Sequence, residues 1–266
     1  MTINEDLKPY TEFMHELANA AATVSLKYFK KHINVDNKGP KLGTEFDPVT
    51  IADQNTEKAI RELIRTRYPE HNIMGEEQPD EQKNSEYTWI IDPIDGTRAY
   101  ITGIPTWGTL IALQYKGKTI VGMLDQPYLK ERYIGTATTT LFNGNQIKTR
   151  SCETIFNATI STTDPLQLFN DEEEQDKFFR VAAGAKTMRN GYDCYAYAMV
   201  AAGFIDVVIE SGLEPHDIQA LIPIIEGAGG AVTNWQGESI TAGGQVVACG
   251  DARLHQQVIG LLNTTI

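Results

Sequence analysis

Leu7, Tyr10, Phe13, Met14, Leu17, Ala21 and Val24 recur every three or four positions. That is the spacing of one face of an α-helix, and it predicts a long amphipathic helix from about Asn4 to Lys31. Ile60, Leu63 and Ile64 mark a second helix, roughly Gln54 to Tyr68, which Pro69 stops. The period then shortens. Trp89-Ile90-Ile91 reads as the end of a buried strand, and Gly108 to Gln114 with Thr119 to Asp125 read as a hairpin joined at Lys116-Gly117-Lys118. Tyr133 to Ala137 continues the β pattern, and Asn143-Gly144 signals a tight turn. These elements make a first, substantially antiparallel α+β half over residues 1–148.

The second half, 149–266, mixes strands with helices. Ile155 to Ser161 reads as a strand. The acidic run Asp171 to Asp176 opens a helix through Phe178-Phe179-Arg180, where negative charge suits the helix N-terminus. Met188 to Tyr195 leads into an Ala-rich helix ending near Gly203. Phe204 to Ile209 is almost wholly apolar, as in a strand buried on both faces, with Glu210 at its C-terminal end. Glu214-Pro215-His216-Asp217 opens a helix from Ile218 to Gly227. Val246 to Cys249 and Arg253 to Leu262 supply a last strand and helix.

Composition narrows the function. The 266 residues include 35 acidic and 23 basic side chains, for a net charge of −12. That balance disfavours non-specific nucleic-acid binding. No apolar run has the length of a membrane span, and the N-terminus lacks a signal-peptide pattern. Cys152, Cys194 and Cys249 are isolated and odd in number, which suits a reducing cytoplasm better than a disulfide scaffold.

The chemistry concentrates at Asp92-Pro93-Ile94-Asp95-Gly96-Thr97, directly after the apolar strand. Pro93 stiffens the backbone, so both carboxylates are expected in one turn. Gly96 allows a close approach, and Thr97 adds a hydroxyl. Two hard carboxylates, a carbonyl and a hydroxyl suit Mg²⁺ and a phosphate group. A solvated Asp-Pro turn is the bland alternative, but it does not account for the full motif at a strand end. Bound cations would also let an acidic protein handle a phosphate. Asp53, Asp193 and Asp217 each read equally as helix caps. Gly75-Glu76-Glu77 lies a short polar excursion upstream, and a strand–loop–strand path would bring it beside Asp92. The loop Lys38 to Gly43 reads as a flap with solvated lysines, Lys38 and Lys41.

Four fragments in order resemble the inositol monophosphatase superfamily: Thr50-Ile51-Ala52-Asp53, Gly75-Glu76-Glu77, Asp92 to Thr97, and His216-Asp217 with Gly227-Ala228-Gly229-Gly230. The resemblance implies an α/β (α+β) fold, the layered αβαβα sandwich of the inositol monophosphatase and fructose-1,6-bisphosphatase type. It implies a Mg²⁺-dependent phosphomonoesterase acting on a small phosphate monoester, and commonly a homodimer. By that resemblance Glu76, Asp92 and the carbonyl of Ile94 hold one metal, and Asp92 bridges to a second completed by Asp95 and Asp217. Glu76 touches a third, weaker ion, giving two or three ions per site. Thr97 and Asp53, assisted by Glu76, position the attacking water. Gly96 and Thr97 receive the phosphate on their N–H groups.

Arg98-Ala99-Tyr100-Ile101 with Gly103 and Trp107 to Leu110, and Gly191 to Tyr195, resemble the branch of histidinol-phosphate phosphatases. Asp193 and Glu210 then face a cationic substrate, with Arg189 pairing either with one of them or with the phosphate. His216 departs from the pattern, since an aromatic residue is usual there. An inositol-phosphate or other sugar-phosphate phosphatase is the second reading. A metal-binding regulatory homologue without turnover is the third, and the full ligand set argues against it. No serine or cysteine motif offers a covalent nucleophile, which leaves direct attack by water.

Overall fold

Helix α1, Lys8–Tyr28, lays Phe13, Met14, Leu17, Ala18 and Ala21 against the protein and leaves its polar face to solvent. In the computed structural model, which describes residues 7–39, 46–240 and 242–264, this helix is shorter than its periodicity predicts. Phe29 turns extended (ψ 136°) and packs against Tyr100 and Trp107, taking the chain out of the helical path. Strands β1 (Val35–Asn37) and β2 (Pro48–Thr50) form an antiparallel pair that leads into α2, Ile51–Arg67.

Seven strands follow in sequence order in one sheet: β3 (Asn72–Gly75), β4 (Tyr87–Asp95), β5 (Gly108–Tyr115), β6 (Lys118–Gln126), β7 (Glu131–Thr136), β8 (Thr140–Phe142) and β9 (Asn145–Ile147). Only the β3–β4 pair is parallel; the rest are antiparallel neighbours. Helix α3, Thr97–Thr102, interrupts the path from β4 to β5. Alternation along β4 separates two cores. Trp89 and Ile91 face α1 and α2, while Ile90 faces the centre of the molecule.

The second sheet has the order β11-β10-β12-β14-β13. Its strands are β10 (Thr159–Thr162), β11 (Thr187–Asn190), β12 (Val207–Leu213), β13 (Ala231–Thr233) and β14 (Gly244–Cys249). Helices α5 (Asp193–Ala201), α6 (Pro215–Ile218) and α7 (Leu221–Gly227) fill the space between the sheets. There Ala198, Val200, Ile224 and Ile225 share one core with Ile90 and Leu110 of one sheet and Val208 and Ala248 of the other. Helices α4 (Glu172–Ala183) and α8 (Ala252–Leu262) cover the outer face through Phe178, Val181, Leu254 and Val258. The layers therefore run αβαβα, as the resemblance implies.

The middle layer is pressed hard onto the first sheet. A Cβ at Gly122 of β6 would lie 2.0 Å from the carbonyl oxygen of Ala220, and one at Gly135 of β7 would lie 2.4 Å from the backbone of Ile224. Backbone touches backbone there, and this seats α7 and the residue before it on the first sheet.

Several elements differ from expectation. Ile155–Asn157 is a 3-10 turn, and the strand begins only at Thr159. The edge strand β11, wholly exposed, carries no apolar alternation to announce it. The apolar strand starts at Val207 rather than at Phe204, because Phe204 closes the preceding helix through its N–H to Met199 and is 68% exposed. Glu210 consequently lies inside the strand, at a register shift with β14. The expected helix Ile218 to Gly227 is two, since Pro223 has no N–H to bond the carbonyl four residues back.

Candidate active site

Residues three apart in a regular strand point to opposite faces. Asp92 and Asp95 escape that rule, and the expected turn is in fact strand: Asp92 pairs with Leu110 and Asp95 with Gly108, so two intervening residues on β4 oppose one on β5. This bulge returns Asp95 to the face of Asp92. Pro93, with no ladder N–H to lose, sits within it, and its carbonyl accepts from the Thr109 hydroxyl at 2.8 Å. Asp92 Oδ1 accepts from the N–H of Ile94 at 3.0 Å. Gly96 follows at φ 81°, where a Cβ would stand 2.9 Å from the Cβ of Asp193, so α3 and α5 start side by side.

Glu76 arrives from the end of β3, its N–H bonded to the Ile91 carbonyl at 3.2 Å. The loop beyond it is clamped by a buried pair on α2 that is absent from the sequence-based expectations. Glu57 accepts from the N–H groups of Glu77 and Gln78 (2.7 and 3.1 Å), while Arg61 donates to Glu57 and to the carbonyls of Gln78 and Pro79. The only local signal of this pair is its spacing, an acid and a base four apart on a helix. Asp217 is fixed by the N–H of Glu214 at 2.7 Å, and Asp95 by the N–H of Cys194 at 2.8 Å.

Two donor groups result, each with its ligand atoms within 4.8 Å of one another: Asp92, Asp95 and Asp217, and Glu76, Asp92 and His216. Asp92 belongs to both. Burial pushes Asp92 and Asp95 well above the ordinary carboxylate range; repulsion from Glu76, Asp95 and Asp217 adds to it at Asp92, and repulsion from Asp217 and Asp193 adds to it at Asp95. Lys38 Nζ stands 2.8 Å from Glu76 and 2.6 Å from Glu77, so it is an ion-pair partner rather than a solvated flap lysine. Its ammonium marks where positive charge is drawn. Clustered hard oxygens that repel one another and attract a cation fit a divalent metal. Lys41 lies outside the described residues.

Asp53 is a helix-capping residue that also reaches Thr97. Its Oδ2 accepts from the N–H and hydroxyl of Thr50 (2.8 and 2.6 Å), completing a capping box, and its Oδ1 is 3.3 Å from the Thr97 hydroxyl. Burial pushes Asp53 up to about 6, against the pull of the Thr50 bonds. The Thr97 hydroxyl is also 3.2 Å from the Ile94 carbonyl.

Glu76, Asp92, Asp95, Thr97 and Asp217 line a cleft of about 150 Å³, which Asp193 and Glu210 also line. Asp193 is the first residue of α5 rather than its N-cap, held at φ 47° with its Oδ2 accepting from the Thr106 hydroxyl at 3.1 Å. Burial pushes it up to about 6. Glu210 accepts from the Thr163 N–H and hydroxyl and from the Thr162 hydroxyl, at 2.7, 2.9 and 3.2 Å. Arg189 is not brought to the cleft; it is exposed on β11 and donates Nε to the Tyr192 hydroxyl at 3.2 Å. Arg98 lines the cleft instead, donating Nη2 to the Phe46 carbonyl at 2.7 Å.

Glu210 has a measurable consequence. Burial pushes its carboxyl up to about 8, so between its ordinary value and 8 the folded state holds a proton that the unfolded state has lost. Stability attributable to this group therefore falls as pH rises through that window, by up to about 1.4 kcal/mol per pH unit. The Tm of Glu210→Gln in metal-free buffer is expected to fall less steeply between pH 5 and pH 8 than that of the parent protein. Parallel curves would remove Glu210 as the source.

Among the described residues no helix is long and apolar enough to cross a membrane. The sequence model of the Inositol monophosphatase family matches residues 6–266. The chain is 44% identical to the chloroplastic bifunctional phosphatase IMPL2 of Arabidopsis thaliana, over 96% of this chain and 75% of that one. It is 32% identical to a histidinol-phosphatase of Chlorobaculum parvum, over 92% and 94% of the two chains. A solved inositol monophosphatase from Zymomonas mobilis superposes with a TM-score of 0.87 at 35% identity, covering 98% of this chain and all of the other. With a bulged carboxylate strand, two acidic donor groups and an αβαβα frame matched from end to end, the chain belongs to the inositol monophosphatase family.

Proposed function

We propose that the protein is a Mg²⁺-dependent phosphomonoesterase whose preferred substrate is L-histidinol phosphate, hydrolysed to L-histidinol and phosphate in histidine biosynthesis. Glu76, Asp92, Asp95, Asp217 and the Ile94 carbonyl would hold the cations. When bound, these screen the phosphate dianion and stabilise the charge that develops on attack. The chain's own groups do the rest. Asp53 accepts the proton of the Thr97 hydroxyl, which leaves the Thr97 lone pairs to accept from a water and orient it. Asp53 is ionised above about pH 6, so it is charged and ready at neutral pH. The first turn of α3, opening at Gly96 and Thr97, lines the cleft and would receive the phosphate on its N–H groups.

The observation that carries the substrate is a further pair of acidic groups, Asp193 and Glu210, lining the same cleft as the acidic cluster. Histidinol phosphate offers an ammonium and an imidazole to that pair. A charge-assisted contact to Asp193, whose carboxyl is pushed up only to about 6, is roughly twice as strong as a neutral one. The name of one relative, a histidinol-phosphatase, supports the same reading. Glu210 accepts equally well from hydroxyl groups, which favours inositol 1-phosphate or another sugar phosphate as the second reading.

Phosphate release at pH 7.5 from L-histidinol phosphate, myo-inositol 1-phosphate and an aryl phosphate, with and without Mg²⁺, separates these. The expected order places histidinol phosphate first in kcat/KM. Asp193→Asn should lower that value about fivefold to tenfold more than it lowers aryl-phosphate hydrolysis, a difference of about 1 kcal/mol. Equal losses, or a preference for inositol phosphate, would promote the second reading. No Mg²⁺-dependent release from any of the three would point to a regulatory homologue.

A further inference from the structure

His216 has no place in the functional reading so far, yet it stands inside the acidic cluster. Three other histidines have ordinary partners: His15 meets Arg132, His71 accepts from Trp89, and His255 pairs with the Thr233 hydroxyl. His216 differs. Its side chain is 13% exposed, and its Nε2 is sealed from solvent and makes no hydrogen bond. Asp217 Oδ1 is 3.5 Å from that nitrogen. That is too long for a good N–H···O bond, and a buried polar atom without a partner costs free energy.

The missing partner can be named from the surroundings. A ring nitrogen of His216, an oxygen of Glu76 and an oxygen of Asp92 all lie within 4.8 Å of one another. Two donors on one cation at about 2.1 Å each stand at most roughly 4.2 Å apart. Small side-chain rotations would bring the three donors onto one ion. Three elements deliver these donors independently: the end of β3, the β4 bulge and α6.

We propose that His216 donates a ring nitrogen to the cation held by Glu76 and Asp92, so that this position selects a borderline divalent ion such as Mn²⁺ or Co²⁺. The neighbouring position, made by Asp92, Asp95 and Asp217, keeps only carboxylate donors from side chains and takes a hard ion such as Mg²⁺. The inference rests on the reading of this cleft as a metal site and adds a donor and a selectivity to it. An imidazole favours Mn²⁺ and Co²⁺ relative to Mg²⁺, because Mg²⁺ prefers oxygen.

The test uses the full-length protein with Mn²⁺ alone, read by pulsed electron paramagnetic resonance. The bound ion is expected to show the nitrogen modulation of a coordinated imidazole. ¹⁵N-histidine labelling should convert that signal to the ¹⁵N pattern, and His216→Phe should abolish it. His216→Phe should also weaken Mn²⁺ about tenfold while changing Mg²⁺ affinity little. His216→Gln serves as the second variant, and the labelling experiment needs no variant at all. Bound Mn²⁺ that is lost in Asp92→Asn but shows no imidazole nitrogen would overturn this proposal and leave the metal site standing. Failure of the unmodified protein to bind Mn²⁺ would overturn both.

Discussion

Asp92→Asn should lower Mg²⁺-dependent phosphate release by about a thousandfold or more while leaving the protein folded. Asp92 is the one residue common to both donor groups, so its loss disturbs two cation positions at once. Cations contribute several kcal/mol of charge stabilisation to phosphoryl transfer, and each 1.4 kcal/mol is a factor of about ten. The fold should survive for a local reason. Asp92 Oδ1 accepts from the Ile94 N–H at 3.0 Å, and an asparagine oxygen of the same shape can do so too. Removing one charge from a buried, mutually repelling set should raise the metal-free Tm. Adding Mg²⁺ should then raise the Tm of the parent protein much more than that of the variant, since a ligand stabilises the folded state more the tighter it binds. A folded Asp92→Asn protein with near-normal Mg²⁺-dependent turnover would show that the cations sit elsewhere.

Thr97→Ala should reduce kcat by about 10²- to 10³-fold and leave KM within a few-fold. The hydroxyl lies 3.3 Å from Asp53 and 3.2 Å from the Ile94 carbonyl, at the start of α3. Orientation of a nucleophile is expressed in the transition state, so its loss appears in kcat. Positioned proton transfer contributes factors of this size. Thr97→Ser keeps the hydroxyl and should recover most of the rate. If steady-state kinetics instead show a raised KM with kcat unchanged, Thr97 holds the phosphate rather than the water.

Much of this site is legible in the order of residues along the chain. The run Trp89 to Thr97 names a strand, two carboxylates and a hydroxyl in one short stretch, and the helical faces of α1 and α2 follow from residue spacing. Element identity is set by contacts between near neighbours, and those are written in periodicity. Where the local signal is weak, periodicity misplaces the element. The exposed strand β11 has no apolar alternation, and the strand through Glu210 begins three residues later than its apolar run because Phe204, though apolar, is exposed.

The order of residues along the chain was enough to single out the acidic candidates Glu76, Asp92, Asp95 and Asp217 and most of the elements that hold them. Only tertiary structure decided that Asp95 shares a face with Asp92, because a bulge exists only relative to the partner strand β5. Only tertiary structure placed Arg98 in the cleft and Arg189 outside it. It also clamped the loop after Glu76 through Glu57 and Arg61, and brought His216 to the carboxylates. In each case the deciding contact joins residues far apart in the chain. Such contacts depend on how sheets and helices pack, and no local spacing records them.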